Sequence, residues 1–310
     1  MKNQSGKFLV QVLALSLGIA CTQSSPAQSF KKVKVAGSAP IVQVASGGVS
    51  VWALASNGNP YVLKGKSFAL ANTISLSQIA VGGGNAAQAD EVWGLNSSGS
   101  IFRASKSGTS WVFSPVAGSL DGIAVGPGSG YQDTCHPYEV WGLNPSAQIY
   151  RYNYCTHGFD QVPGILCDVK VGYGDVWGAQ CGPSIYRFAF EAGAFLQVDS
   201  HNFKGFPALA VGPNGNVWAI DMGDSGGRTY FYDPVSVRFF LLDSGSSQIQ
   251  AGGDGIWVIK GVNVYRLEQI GIGVGQFFQV PGSLVSLSVG SGGGVWGINS
   301  AHQVFAYSTP

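Results

Sequence analysis

Apolar residues along this chain fall in short runs, each stopped by Gly, Asn, Ser or Pro, and none of them repeats with the spacing of an amphipathic helix. Asp121-Gly122-Ile123-Ala124-Val125-Gly126 is typical, an apolar strand closed by glycine. Its counterparts are Ile79-Ala80-Val81-Gly82, Val169-Lys170-Val171-Gly172, Leu209-Ala210-Val211-Gly212 and Leu287-Ser288-Val289-Gly290. A second run follows in each case, here Glu139-Val140-Trp141-Gly142-Leu143-Asn144. After a turn comes a third, Ile149-Tyr150-Arg151-Tyr152, and then a fourth, Phe159-Asp160-Gln161-Val162-Pro163-Gly164. Four short strands separated by turn residues make one supersecondary unit. Pro at the end of the fourth run suits an outer edge strand, where a ladder donor is expendable.

The unit recurs. Trp52, Trp93, Trp141, Trp177, Trp218, Trp257 and Trp296 each follow Val or Ile, and all but Trp257 precede Gly or Ala. Their partner aromatics are Tyr61, Phe102, Tyr150, Tyr186, Tyr230, Tyr265 and Phe305, nine residues on in five copies, eight in one and twelve in one. Successive Trp residues lie 36 to 48 positions apart. Seven strand-rich copies at that period predict an all-β fold, a seven-bladed β-propeller of four-stranded blades. Phe30-Lys31-Lys32-Val33-Lys34-Val35-Ala36-Gly37 matches a fourth strand, whereas Val304-Phe305-Ala306-Tyr307 matches a third. The last blade therefore lacks its outer strand, and the N-terminal segment is expected to complete it and close the ring.

Composition agrees with stacked, doubly buried sheets. Charged residues make up 11% of the 310, against about a quarter in an average protein, and glycine reaches 46. A net charge of +1 without a Lys/Arg cluster gives no electrostatic footprint for nucleic acid. Lys2 and Lys7 precede an apolar run, Phe8 to Ala20, that is too short to span a membrane and reads as a secretory signal peptide. Two cleavage readings stay open. Ser25-Pro26-Ala27 suits a cut after Ala27, leaving a 28–310 propeller; Gly18-Ile19-Ala20-Cys21 suits a lipoprotein acylated at Cys21. Both predict an exported chain, secreted or periplasmic, with no transmembrane span in its mature form.

Export permits disulfides among Cys135, Cys155, Cys167 and Cys181. Loops after first and third strands share one face of a propeller, which places Cys135 near Cys155. Cys167, at the start of a first strand, and Cys181, in the turn after a second, share the opposite face. Pairings Cys135–Cys155 and Cys167–Cys181 are expected.

The units Ile-Ala-Val-Gly, Val-Trp-Gly-Leu-Asn, Ile-Tyr-Arg-Tyr and Phe-x-x-Val-Pro-Gly resemble tectonin repeats from Phe30 to Tyr307. The resemblance implies a β-propeller and, as in several tectonin-type proteins, a lectin for bacterial or methylated surface glycans. Blades one, five and six depart from it, reading Trp52-Ala53-Leu54-Ala55, Trp218-Ala219-Ile220-Asp221 and Trp257-Val258-Ile259-Lys260.

Within the repeat, each Trp is read as an inter-blade packing residue, with the following Gly making room for the neighbouring sheet; Trp111 is read as outer-edge packing. Asn96, Asn144 and Asn299 either cap turns or contact ligand. Function is expected on the variable loops. The longest, from Pro127 to Tyr138, carries Tyr131, Asp133, His136 and Tyr138 as candidate glycan contacts. Gly223-Asp224-Ser225-Gly226-Gly227 copies the segment around a trypsin-type nucleophile, and His201 is available, but the segment is a lengthened blade turn without the rest of that pattern. Scattered His136, His157, His201 and His302 give no metal set, and no cofactor is expected. The leading reading is a non-enzymatic glycan-binding propeller. The alternatives are an envelope protein-interaction scaffold and a propeller-type carbohydrate-active enzyme. Equivalent pockets between blades would mark the lectin, an apolar face patch the scaffold, and an acid/base cluster at the channel mouth the enzyme.

Overall fold

The computed structural model describes residues 29–84, 88–128, 134–172, 174–198, 203–212, 215–271 and 274–308. They form seven sheets around a central channel, antiparallel throughout except for one added strand in blade 1, with no helix among the described residues. Blade 3 shows the plan: Gly122–Pro127 innermost, then Tyr138–Leu143, Gln148–Asn153 and, outermost, Gly158–Ile165.

The ring closes as the strand count requires. Ser29–Lys32 pairs antiparallel with Val304–Ser308, Phe30 opposite Tyr307, and supplies the outer strand of blade 7. The segment then does something the sequence does not announce. Lys34–Val35 crosses to blade 1 and pairs in parallel with its outer strand Ser67–Leu70, so one stretch sews the last blade to the first. Val33 N donates to Val304 O at 2.8 Å and Ala36 N to Phe68 O at 2.9 Å on either side of the crossing.

The core is divided into seven slabs, one between each pair of neighbours. Six repeat Trp side chains are buried in them. Each meets the next blade's aromatics edge-on: Trp93 meets Tyr152 at 4.6 Å, Trp141 meets Phe188 at 4.7 Å, Trp177 meets Tyr232 at 4.9 Å and Trp257 meets Tyr307 at 4.8 Å. Such pairs contribute about 0.5–1.5 kcal/mol beyond burial alone. Blade 2 has Ala104 where these aromatics stand. Trp111 on its outer strand fills the gap instead, 4.7 Å from Trp52.

The glycine that follows four of the tryptophans has a different neighbour from the one expected. A Cβ at Gly94, Gly142, Gly178 or Gly297 would strike Leu76, Leu120, Leu166 or Leu284, each buried just ahead of the innermost strand of the same blade. The space is for an incoming linker leucine rather than for the adjacent sheet. Around the channel, amide clasps tie inner strands together. Gln43 both donates to Ile79 O and accepts from Ile79 N, and Gln248 does the same with Leu287.

Disulfides join Cys135 to Cys155 and Cys167 to Cys181, each with 5.1 Å between Cα atoms. Two such bonds suit an extracellular or periplasmic environment. No helix among the described residues is long and apolar enough to cross a membrane.

Candidate functional site

Strand periodicity places residues i and i+2 on one face and cross-strand partners beside one another. In blades 2, 3 and 4 the acidic residue two before the Trp therefore shares its face, and the Arg opposite the Trp reaches over both. Trp93 pairs with Arg103, Trp141 with Arg151 and Trp177 with Arg187. Arg103 grips Glu91 with Nε at 3.0 Å and Nη2 at 2.7 Å; Arg151 grips Glu139 at 2.9 and 2.6 Å. Arg187 donates only Nε to Asp175, at 2.9 Å. Blade 6 repeats the set loosely, with Arg266 and Asp254 at 3.3 Å. Each guanidinium lies 5.6–5.9 Å from the ring centre of its own Trp, within cation–π range.

Side-chain length sets the details. Glutamate reaches the indole: Trp93 Nε1 donates to Glu91 at 3.0 Å and Trp141 Nε1 to Glu139 at 2.8 Å. Asp175 and Asp254 are one carbon shorter, and the indole nitrogens of Trp177 and Trp257 have no partner. Burial works against the Arg103 charge, but the paired Glu91 outweighs it and the pKa stands above the ordinary arginine value.

The next blade decides whether this set faces solvent. At the 3/4 interface Phe190 lies 5.4 Å from Arg151, whose side chain is 12% exposed over a fully buried Glu139. At the 2/3 interface Tyr154 holds the same place, 5.0 Å from Arg103, and exposure rises to 34%. At the 4/5 interface the equivalent residue is Pro234, and Arg187 is 52% exposed.

Two clefts result. One, of about 480 Å³, lies between blades 4 and 5 and is lined by Asp175, Arg187, Phe190, Glu191, Tyr232 and Val237. The other, of about 620 Å³, lies between blades 2 and 3 and is lined by Glu91, Arg103, Lys106, Trp111, Tyr152 and His157. Their lips are built alike. Asn153 and Asp233 each accept from the backbone two and three residues on, and His157 and Val237 follow with φ of 56° and 57°. A β-branched residue in the left-handed region is costly. Burial, opposed by the Arg187 charge, raises the Tyr232 hydroxyl pKa, so that this tyrosine stays a neutral donor at ordinary pH. A fixed acid–guanidinium pair beside an aromatic ring offers donors and acceptors for neighbouring hydroxyls, and an apolar face to stack on.

The loop residues proposed from sequence are only partly placed. Tyr131 and Asp133 lie outside the described residues, as does His201. His136 and Tyr138 are half-buried. Tyr138 donates its hydroxyl to Ala89 O at 2.8 Å, and Ala89 lines the 2/3 cleft, so the loop buttresses that cleft. Asn96, Asn144 and Asn299 lie at the opposite end of the blades from Tyr138. Their side-chain oxygens each accept two turn N–H groups, at 2.8–3.1 Å. Gly223–Gly227 is a turn in which Asp224 takes Gly226 N at 3.0 Å and Lys204 Nζ at 3.3 Å. The cleft residues themselves were missed. Their trace is an acid two before, and an arginine ten after, three of the seven tryptophans in a chain otherwise poor in charge.

Comparison with known proteins places this geometry. The tectonin domain profile matches residues 21–202 and 188–310. The chain belongs to the tectonin family. Three solved propellers resemble it in fold: YCF48 bound to D1 peptide (14% identity, TM-score 0.62, covering 93% of this chain and 100% of that one); the WD40 β-propeller domain of Doa1 (14%, 0.63, 91% and 97%); and the Myceliophteria thermophila Cps50 (Swd1) propeller (9%, 0.65, 91% and 100%). At such identities the likeness shows this tectonin protein's fold alone. No curated protein sequence matches it.

Proposed function

We propose that this tectonin propeller is an exported glycan-binding protein without catalytic activity, and that the clefts after blades 2 and 4 are its sugar sites. The observation carrying the proposal is the repetition. One acid–arginine–aromatic set, buried after blade 3, opens to solvent at two other interfaces with matching lips. The paired guanidinium and carboxylate would bind adjacent hydroxyls while Tyr232, at the 4/5 cleft, stacks on the apolar face of a pyranose. Each acid is committed to its arginine, which leaves it unsuited to proton transfer. Tyr131, Asp133, His136 and Tyr138 are proposed as further glycan contacts, on the loop whose Tyr138 braces Ala89 of the 2/3 cleft. Residues 1–27 would be removed as a signal peptide, with acylation at Cys21 as the other processing route; intact mass of the exported protein separates the two.

The test is a glycan array of the mature, oxidised protein, including bacterial surface polysaccharides and O-methylated sugars. Saturable binding that free sugar competes away, and that weakens in Arg187→Ala without a change in thermal midpoint, is the expected result. A blank array with folded protein would end this reading. It would favour the protein-interaction alternative, for which the peptide-bound YCF48 propeller is a structural precedent, and pull-down from envelope extracts would follow.

A further inference from the structure

The two open clefts share their acid–arginine pair but differ in what surrounds it. Strand register defines the matched positions. Opposite the arginine, on the outer strand, stands Ser114 in blade 2 and Leu196 in blade 4. Two residues after the arginine, and so on its own face, come Ser105 and Ala189. At the lip, His157 and Val237 hold the same left-handed position. All of these residues line their clefts. Each pair changes in the same sense, polar between blades 2 and 3 and apolar between blades 4 and 5. Cys155 and Val235 occupy a further matched place on the lips. The cysteine is spent in its disulfide with Cys135, whereas the valine is 90% exposed.

Single exposed apolar side chains are ordinary on a protein surface. Here Leu196 and Val237, 55% and 48% exposed, wall one cleft together, with Val235 on its lip. They stand beside an arginine with polar capacity to spare. Arg187 gives only its Nε to Asp175, and neither Nη group has a hydrogen-bond partner among the described residues. A ligand that fits must therefore offer oxygens on one edge and an apolar group on another. An unmodified hexopyranose carries hydroxyl or hydroxymethyl groups around its whole rim, and one of these set against Leu196 and Val237 would be left unpaired. A 6-deoxyhexose has a methyl group in place of the hydroxymethyl and keeps every ring hydroxyl for the guanidinium. Glu191, the remaining charged residue of the lining, is engaged within the chain.

We propose that the 4/5 cleft selects a 6-deoxyhexose, with the C5 methyl seated against Leu196 and Val237, and that the 2/3 cleft lacks this preference. The inference rests on the sugar-binding reading given above and assigns its sugar class. Arg187 holds the ring hydroxyls, Tyr232 takes the apolar ring face, and Leu196 and Val237 read the substituent on C5. The two valine and leucine side chains are specificity-determining residues: they discriminate between a methyl and a hydroxymethyl group without touching the groups that Arg187 binds. An apolar wall separates ligands that differ by one such group by about tenfold or more, and a wall that stays partly open to water sits at the low end of that range.

L-fucose and L-galactose differ only by the hydroxyl on C6, as do L-rhamnose and L-mannose. NMR titration of the mature, oxidised protein with these four sugars tests the proposal, the Val237 and His157 amides reporting the two clefts separately. At Val237 one deoxy sugar should bind about tenfold more tightly than its hydroxylated counterpart, and at His157 neither should. L196S/V237H, which gives the 4/5 cleft the side chains of the 2/3 cleft, should erase the preference with the thermal midpoint unchanged; histidine already holds that backbone conformation at position 157. The reverse exchange, S114L/H157V, should create the preference in the 2/3 cleft and carries the test should the first variant fail to fold. Sugar binding at Val237 that ignores the C6 hydroxyl, or a preference that survives L196S/V237H, overturns the proposal and leaves the sugar-binding reading standing. A preference that follows O-methylation in place of 6-deoxygenation does the same. Loss of every sugar response overturns both.

Discussion

The interfaces after blades 3 and 4 hold the same chemistry in opposite conditions. Glu139 and Arg151 are sealed beneath Phe188 and Phe190; Arg187 stands open beside Tyr232, over a buried Asp175. Two substitutions between repeats account for the contrast. Phe190 becomes Pro234 and removes the cover, while Glu139 becomes Asp175 and shortens the grip to a single hydrogen bond. A motif that serves only packing in one slab of the ring presents a solvent-facing guanidinium, held by a buried acid, in the next, without any change of backbone plan.

The comparison can be broken most sharply at the acids. Glu139→Ala takes the buried carboxylate from a largely covered guanidinium and should cost about 3–5 kcal/mol. Asp175→Ala leaves an arginine that water can reach and should cost no more than about 1 kcal/mol. Urea melts of the two variants measure the difference, and equal losses would contradict the sealed-versus-open distinction. Next in size, Cys167→Ser with Cys181→Ser releases a short loop in blade 4 and should cost about 3 kcal/mol. Those cysteines lie on the face away from the Val237 lip, so sugar affinity of the folded protein should stay as it was.

Pro234→Phe is the direct conversion of one interface into the other. It should shift stability by less than about 1 kcal/mol, as surface changes usually do, while closing the cleft and removing whatever binding the array detects there. Retained binding would relocate the site. The smallest effect is with pH. Burial is the leading cause that raises the pKa of Tyr138, Tyr152, Tyr154, Tyr232 and Tyr307, most strongly at Tyr154, where Glu91 adds to it. Unfolded tyrosine ionises near pH ~10, and the folded groups resist doing so. Stability is therefore full below that value and falls as pH rises from it toward the folded pKa values. Tyr154→Phe, at the more covered 2/3 interface, should flatten this alkaline loss more than Tyr232→Phe in guanidinium melts at stepped pH.

Architecture was legible because the Val-Trp-Gly strand and its aromatic partner are dictated locally and repeated seven times; the blade number, the seam at Phe30 and Tyr307, and the shared faces of the cysteines all follow from register. The clefts were not legible, because they depend on pairs from neighbouring blades. Nothing in Tyr152-Asn153-Tyr154 or Tyr232-Asp233-Pro234 says which arginine it faces until the ring is assembled. Loop length drew the search to Tyr131–Tyr138, and the structure makes Tyr138 a strut of the 2/3 cleft through Ala89. The crossing of Lys34–Val35 to blade 1 was hidden for a further reason: two residues of parallel pairing leave no periodic pattern to read.

That N-terminal segment also fixes the order of events in assembly. Phe30 emerges from the ribosome well before its partner Tyr307, so the pairing that completes blade 7 joins strands from opposite ends of the repeat array. Blades 2 to 6 can form from local hairpins, which close quickly, whereas the seam must wait for the strand Val304–Ser308 and for a long loop to shut. Until then Phe68 and Trp296, which meet at 5.6 Å across the seam, have no cover from each other. An incomplete chain would thus be an open arc with two apolar ends, recognisable to quality control by the same surfaces that the finished ring conceals.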